Sequence, residues 1–284
     1  MKYIKKDMTS YNIHLIKTDK FKTITFRVLF RNEIVKDEIT LRNMLVSFLN
    51  YSNASYPTKR DVVLKMEDLY AASVYSRVYR SGRYDMVNFY LTILNEKYTE
   101  KGMLEESIKF FSEFLFNPNF KDDECFNFVY TYLYDGFEKN LNGLKENGGS
   151  YSTIRMLEEM DKDKPYGYRD VGYVEDLKEI NKEKLINYYD KLINNCLVDI
   201  YIIGDIDESI YKLINKYFDF KTFKRPKNKQ LIVHDKLPSR IKTIRESDDS
   251  NQSKLSIGCK IGNLTEFERN YVLTLYNMLL GGNS

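Results

Sequence analysis

The sequence contains no tryptophan, and only two histidines and three cysteines among its 284 residues. His14 and His234 stand far apart and outside any predicted helix, so no two imidazoles share a helix face. A metal site built on paired histidines therefore has no local framework. Cys125, Cys196 and Cys259 form an odd set without a Cys-x-x-Cys pair, which argues against a disulfide framework and fits a reducing cytosol. Long apolar runs are missing too: no stretch approaches the ~18 residues of a membrane span. The opening MKYIKKDMTS is polar, without the apolar core of a signal peptide. Gly148-Gly149 lacks the Lys-Ser/Thr that completes a phosphate loop. Charge of one sign is also lacking, since 44 Lys and Arg against 41 Asp and Glu leave a net +3. So small an excess does not point to nucleic acid. The expectation is a cytoplasmic protein with neither a membrane nor a nucleic-acid partner.

What is present is a globular composition, 43% hydrophobic, with aromatics supplied by 24 Tyr and 17 Phe. Residues 11–17 (YNIHLIK) alternate, and 22–31 (KTITFRVLFR) are rich in β-branched and aromatic types; both predict strands. Leu41, Met44, Leu45, Phe48 and Leu49 are spaced for a helix over 40–49. Thr58 is a candidate N-cap for a helix over 59–70. Extended runs at 71–79 and 86–94 flank Ser81-Gly82-Arg83, a hairpin signal. Leu104, Ile108, Phe111, Phe114 and Leu115 make a helical stripe that Asn117-Pro118 ends. Further helices are predicted over 122–140, 151–160, 181–194 and 205–218, with a buried strand over 197–203 (LVDIYII).

Residues 221–239 are the linker candidate, basic and carrying Pro226 and Pro238. Beyond them a strand at 253–261 and a helix at 266–280, stopped by Gly281-Gly282, echo the strand–loop–helix order of 23–49. Such a piece cannot bury its own apolar face. The organisation expected is an N-terminal domain over 1–220, the linker, and the truncated start of a second similar domain over 240–284.

Several short motifs in order carry a resemblance. Tyr56-Pro57-Thr58 forms a turn, and Ala71-Ala72-Ser73-Val74 is a small-residue strand. Asn117-Pro118-Asn119-Phe120 closes a helix. Lys164-Pro165-Tyr166-Gly167 with Val171-Gly172 makes a Pro-Tyr…Gly loop, and Leu280-Gly281-Gly282-Asn283-Ser284 a terminal turn. In this order they resemble the pitrilysin/insulinase-type zinc metallopeptidases, and most closely their inactive homologues. The resemblance covers essentially the whole chain and implies an α+β fold, a mixed or antiparallel sheet covered by helices.

Active members of that family bind zinc through two histidines of H-x-x-E-H, and its Glu activates the metal-bound water. Counting back from Tyr56-Pro57 places the motif on residues 43–47, where Asn43, Val46 and Ser47 replace His, Glu and His. A shifted gap (SFLNY, 47–51) supplies neither residue type. The helix implied to give the third ligand offers Phe126 and Phe128. The resemblance thus implies no zinc, no catalysis, and an empty pocket behind residues 43–47.

In the family, peptide adds to the edge of the small-residue strand, here Ala72, Ser73, Val74, Tyr75, Ser76 and Arg77. By resemblance the chain is a non-catalytic subunit that closes a chamber with an active homologous peptidase, as a heterodimer or by self-association, and helps hold peptide substrate. A peptide-binding or scaffold role without a peptidase partner is the alternative. The bland assignments remain for the rest. His14 and His234 read as surface or half-buried imidazoles, Cys125 as a core residue, Glu158 and Glu159 as diverging helix carboxylates, and the basic run 221–229 as solvated linker.

Overall fold

The computed structural model describes residues 1–220, 237–247 and 251–280. Six strands build one mixed sheet: β1 (Lys2–Asp7), β2 (Asn12–Lys17), β3 (Thr23–Glu33), β4 (Ser73–Ser81), β5 (Tyr84–Leu94) and β6 (Leu197–Gly204). Their spatial order is β1-β2-β6-β3-β5-β4. Only the β2–β6 pairing is parallel. The period-2 side chains of β3, Ile24, Phe26, Val28 and Phe30, all lie on the buried face with Phe89 and Leu91 of β5 and Ile200 and Ile202 of β6.

Helices α1 (Ile39–Tyr51), α2 (Lys59–Asp68), α3 (Met103–Phe116), α4 (Asp123–Asn142), α5 (Gly148–Met160), α6 (Val174–Leu177), α7 (Lys182–Asn195) and α8 (Ile210–Tyr217) follow or separate the strands. α1 lies against β4 and is itself packed by α3, α4 and α7, so the helix of the degenerate motif sits at the centre of the helical layer. Met44, Leu45, Phe48 and Leu49 are all buried, as their spacing predicts. Thr58 caps α2 in a reciprocal box with Asp61, and Asn181 caps α7. The β4–β5 turn is Gly82-Arg83, with Gly82 at φ +58°, which favours glycine.

Some expectations are corrected. β1 was not foreseen, because its exposed, lysine-rich face shows little apolar alternation; it is recruited by pairing with β2. The strand expected from Ala71 starts at Ser73: Tyr70 and Ala71 both take left-handed φ and fold the chain back onto the end of α2, where the Ala72 N–H donates to the Met66 carbonyl at 2.9 Å. The helix expected from residue 205 starts at Ile210, because the Asp207 carboxylate accepts the Ser209 N–H at 2.8 Å and holds a turn instead.

Residues 221–236 of the linker, with His234, and the Gly281-Gly282 stop lie outside the described residues. Residues 253–261 join no strand ladder among the described residues. They run beside α5 instead: Ser256 shares hydrogen bonds with Ser152 (2.8 Å) and Thr153, and Lys260 pairs with Asp161. The final helical segment contains a wide turn at Glu268–Val272 before α9 (Leu273–Leu279). It exposes Phe267, Leu275 and Leu279. No helix among the described residues is long and apolar enough to cross a membrane.

Candidate functional site

Where active members of the resembled family hold a metal, this chain holds a hydrogen-bonded loop. Asn43 Nδ2 donates to the Asp170 carbonyl at 2.8 Å, and Asn43 Oδ1 accepts from Arg42 Nη2 at 3.2 Å. Val46 is buried in the apolar core, and Ser47 is half-buried beside it. The pocket expected behind residues 43–47 is thus met by an amide already engaged on both sides and a valine packed into the core.

The neighbouring Arg42 is the largest fully buried side chain, 1% exposed. Its guanidinium pairs with Asp85 of β5, also buried. Arg80 of β4 reaches the other Asp85 oxygen at 3.3 Å and donates to the carbonyls of Tyr168 and Arg169. Burial dominates the electrostatics, pushing the Asp85 carboxyl up and the Arg42 guanidinium down. Their mutual attraction offsets only part of that desolvation. Donors from α1 and β4 thus converge on three consecutive loop carbonyls, 168–170. Thr40 completes the dock: its hydroxyl accepts the Tyr173 N–H at 2.9 Å and donates to Asp176 at 3.1 Å.

These residues do not fit zinc. The amide oxygen of Asn43 is occupied, valine has no lone pair, and the buried guanidinium beside them repels a cation. On α4, Phe126 is buried against Phe48, with ring centroids 5.1 Å apart, and Phe128 points to solvent. Neither places an oxygen near Asn43. We expect purified protein dialysed against zinc to retain well under one ion per chain by elemental analysis, with a melting temperature indifferent to chelator. One zinc per chain, lost to chelator with a fall in melting temperature, would sink this assignment.

Of the candidate peptide-edge residues, Ser73, Val74, Tyr75, Ser76 and Arg77 lie in β4, the last strand of the sheet. Ala72 precedes the strand with its side chain buried. Ser73, Tyr75 and Arg77 project to the exposed side, and Tyr75 stacks on Tyr90 with centroids 4.6 Å apart. The loop carbonyls of 168 and 169 meet β4 only at its Arg80 end.

Sequence reasoning missed the Arg42–Asp85–Arg80 group. The signal available was a charged residue at an apolar helix position beside the motif and another at an inward strand position. Glu158 and Glu159 do not simply diverge: both reach Arg155, one and the other half of its guanidinium. Arg155 also holds Glu246 at 2.7 Å, and Glu158 holds Arg169 at 2.6 Å. Cys125 is half-buried, accepting from Asn119 and donating to the Pro57 carbonyl, and burial pushes its thiol up. That is the opposite of nucleophile activation.

Comparisons with known proteins agree with this chemistry. A family profile described as "Peptidase M16 inactive domain" matches residues 179–284. The "Probable inactive metalloprotease YmfF" of Bacillus subtilis (strain 168) is 28% identical over 273 residues. The match takes in 95% of this chain and 63% of that protein, so the chain spans under two thirds of its relative's length. Among solved structures, a conserved protein from Enterococcus faecalis V583 superposes with a TM-score of 0.74 at 23% identity, over 84% of this chain and 57% of that one. A peptidase M16 inactive domain from Pseudomonas fluorescens gives 0.68 at 15% identity, over 84% and 55%. These two show a shared α+β fold. The profile, the curated relative and the degenerate motif together make the chain similar to inactive homologues of the M16, pitrilysin/insulinase-type, metallopeptidases.

Proposed function

We propose that the protein is a non-catalytic subunit of a pitrilysin/insulinase-type zinc peptidase, closing its chamber and holding peptide for an active partner in the cytoplasm. The observation that carries the reading is the open edge of β4. Over 73–77 this strand has β5 on one side and no strand on the other among the described residues. An unpaired edge offers a row of backbone N–H and C=O groups to an extended peptide, and side-chain pockets add selectivity. Arg42, Asp85 and Arg80 tie α1 to the β4–β5 hairpin through side-chain ion pairs. The organisation into an N-terminal domain over 1–220 and the start of a second over 240–284 belongs to the same proposal.

The test is co-expression of the protein with a homologue that carries H-x-x-E-H, purifying through a tag on one. A stoichiometric heteromer is expected. A protein that stays alone in the presence of such a homologue overturns the subunit reading and leaves the scaffold role. Single prolines placed along 73–77 test the edge. Where the replaced N–H faces outward, an edge strand tolerates proline, so the fold should persist while retention of peptides falls at least about tenfold. Unchanged retention at every folded proline variant would remove the edge from the proposal.

A further inference from the structure

The sheet face opposite the helices carries a second polar constellation, remote from the motif helix. Asp199 of β6 is 3% exposed, and three donors hold it: Asn12 Nδ2 at 2.9 Å and His14 Nε2 at 3.1 Å on one oxygen, Arg31 Nη2 at 2.7 Å on the other. Burial alone would raise this carboxyl, but those donors outweigh it and keep it below its ordinary range. An ionised carboxylate only accepts, so in the neutral imidazole of His14 the proton sits on Nε2 and the lone pair on Nδ1. That Nδ1 lies 2.7 Å from the hydroxyl of Tyr3 on β1. Tyr201 stacks on the imidazole with centroids 4.4 Å apart and fixes the ring plane. A buried carboxylate thus orients an imidazole whose free nitrogen accepts the proton of an exposed hydroxyl, the arrangement that activates oxygen nucleophiles.

We propose that Tyr3 is a site of covalent acylation by activated acyl donors, with His14 as its general base and Asp199 as the positioning residue. The Tyr3 oxygen forms the new C–O bond to the acyl carbonyl carbon while its proton passes to His14 Nδ1. Collapse of the adduct breaks the bond to the leaving group, which departs with the proton that His14 returns. A phenol is a far stronger acid than an alcohol, so an imidazole removes its proton more readily than it removes one from serine. The proposal includes no oxyanion hole for the carbonyl oxygen of such an adduct. The expected chemistry is therefore selective modification of Tyr3 rather than rapid turnover.

The probe is N-acetylimidazole, with O-acetyltyrosine quantified by peptide mass mapping and imidazole as the released product. Tyr98 and Tyr132 are internal comparators, because their exposures of 53% and 60% bracket the 57% of Tyr3. Tyr3 should acetylate at least about tenfold faster than either, within the range expected of a positioned base. His14→Gln should bring Tyr3 down to the comparators' rate while theirs stay unchanged, with circular dichroism showing that the variant is folded. Equal rates at the three tyrosines of the unaltered protein overturn the proposal without need of a variant. So does a Tyr3 rate that His14→Gln leaves untouched.

Discussion

Replacing Asp85 by alanine should lower the unfolding free energy by about 3–5 kcal/mol, the cost of stranding a buried charge. Arg42, 1% exposed, would keep its desolvation penalty and lose its counter-charge. Arg80 is less affected, because it retains the carbonyls of Tyr168 and Arg169. Asp85→Asn, which keeps the shape, should fall between the two. The pair is not itself a large stabiliser, since burial works against both charges. Replacing both partners by apolar residues, Arg42→Met with Asp85→Leu, should therefore cost clearly less than the sum of the single changes. Urea unfolding followed by tyrosine fluorescence reads the parent, the Asp85→Ala and Asp85→Asn variants, the two apolar single changes and the double change. A loss below about 1 kcal/mol for Asp85→Ala would mean that water reaches the guanidinium, and the account of this site would fail.

The consequence reaches the loop. Arg42, Asn43 and Arg80 are held in one group by Asp85, and together they bind the carbonyls of residues 168–170. Asp85→Ala loosens the donors, so protease nicking within 161–172 of the folded protein should accelerate alongside the loss of stability.

The elements legible in the sequence were those whose period matched their burial. The Ile108–Phe111–Phe114–Leu115 face of α3 and the alternation of β3 each point their apolar residues at one surface. β1 was hidden because an exposed edge strand needs no apolar face. Residues 253–261 have the pattern of a strand, yet a pattern does not supply a neighbour to bond with, and in the described residues they lie along α5 instead. The empty motif was legible because it depends on residue identity at fixed spacing. What replaces the metal was not. Arg42, Asp85, Arg80 and the 168–170 carbonyls come from four separated segments, and only the sheet register that sets Arg80 opposite Asp85 brings two of them together. His14, expected to be a surface or half-buried imidazole, is buried for the same reason: its partner Asp199 is distant in sequence and is delivered by the β2–β6 pairing.

Gly172→Ala should cost about 3 kcal/mol, although it adds a single methyl group. Gly172 has φ +97°, in the region that costs an L-residue roughly 1–2 kcal/mol. An added Cβ would also stand 2.5 Å from Thr40 Oγ1 and 3.0 Å from Thr40 Cα. Thr40 is fully buried, and its hydroxyl is committed to Tyr173 and to Asp176, so neither atom can give way. Overpacking of this kind adds on the order of 1–3 kcal/mol. Gly82→Ala separates the two causes: φ is +58° there, but nothing lies within 4 Å of the new methyl. It should cost only the backbone part, about 1–2 kcal/mol. Amide exchange at Tyr173, whose N–H is held by Thr40, should speed up in Gly172→Ala and stay unchanged in Gly82→Ala. Equal unfolding free energies for the two variants would show that the close approach to α1 carries no energy. The larger loss at Gly172 would explain why the Pro-Tyr…Gly loop is legible in a chain without the zinc motif. Its glycine lets the loop seat on the first turn of α1, and that seating depends on Thr40, Asn43 and Arg80 rather than on a metal.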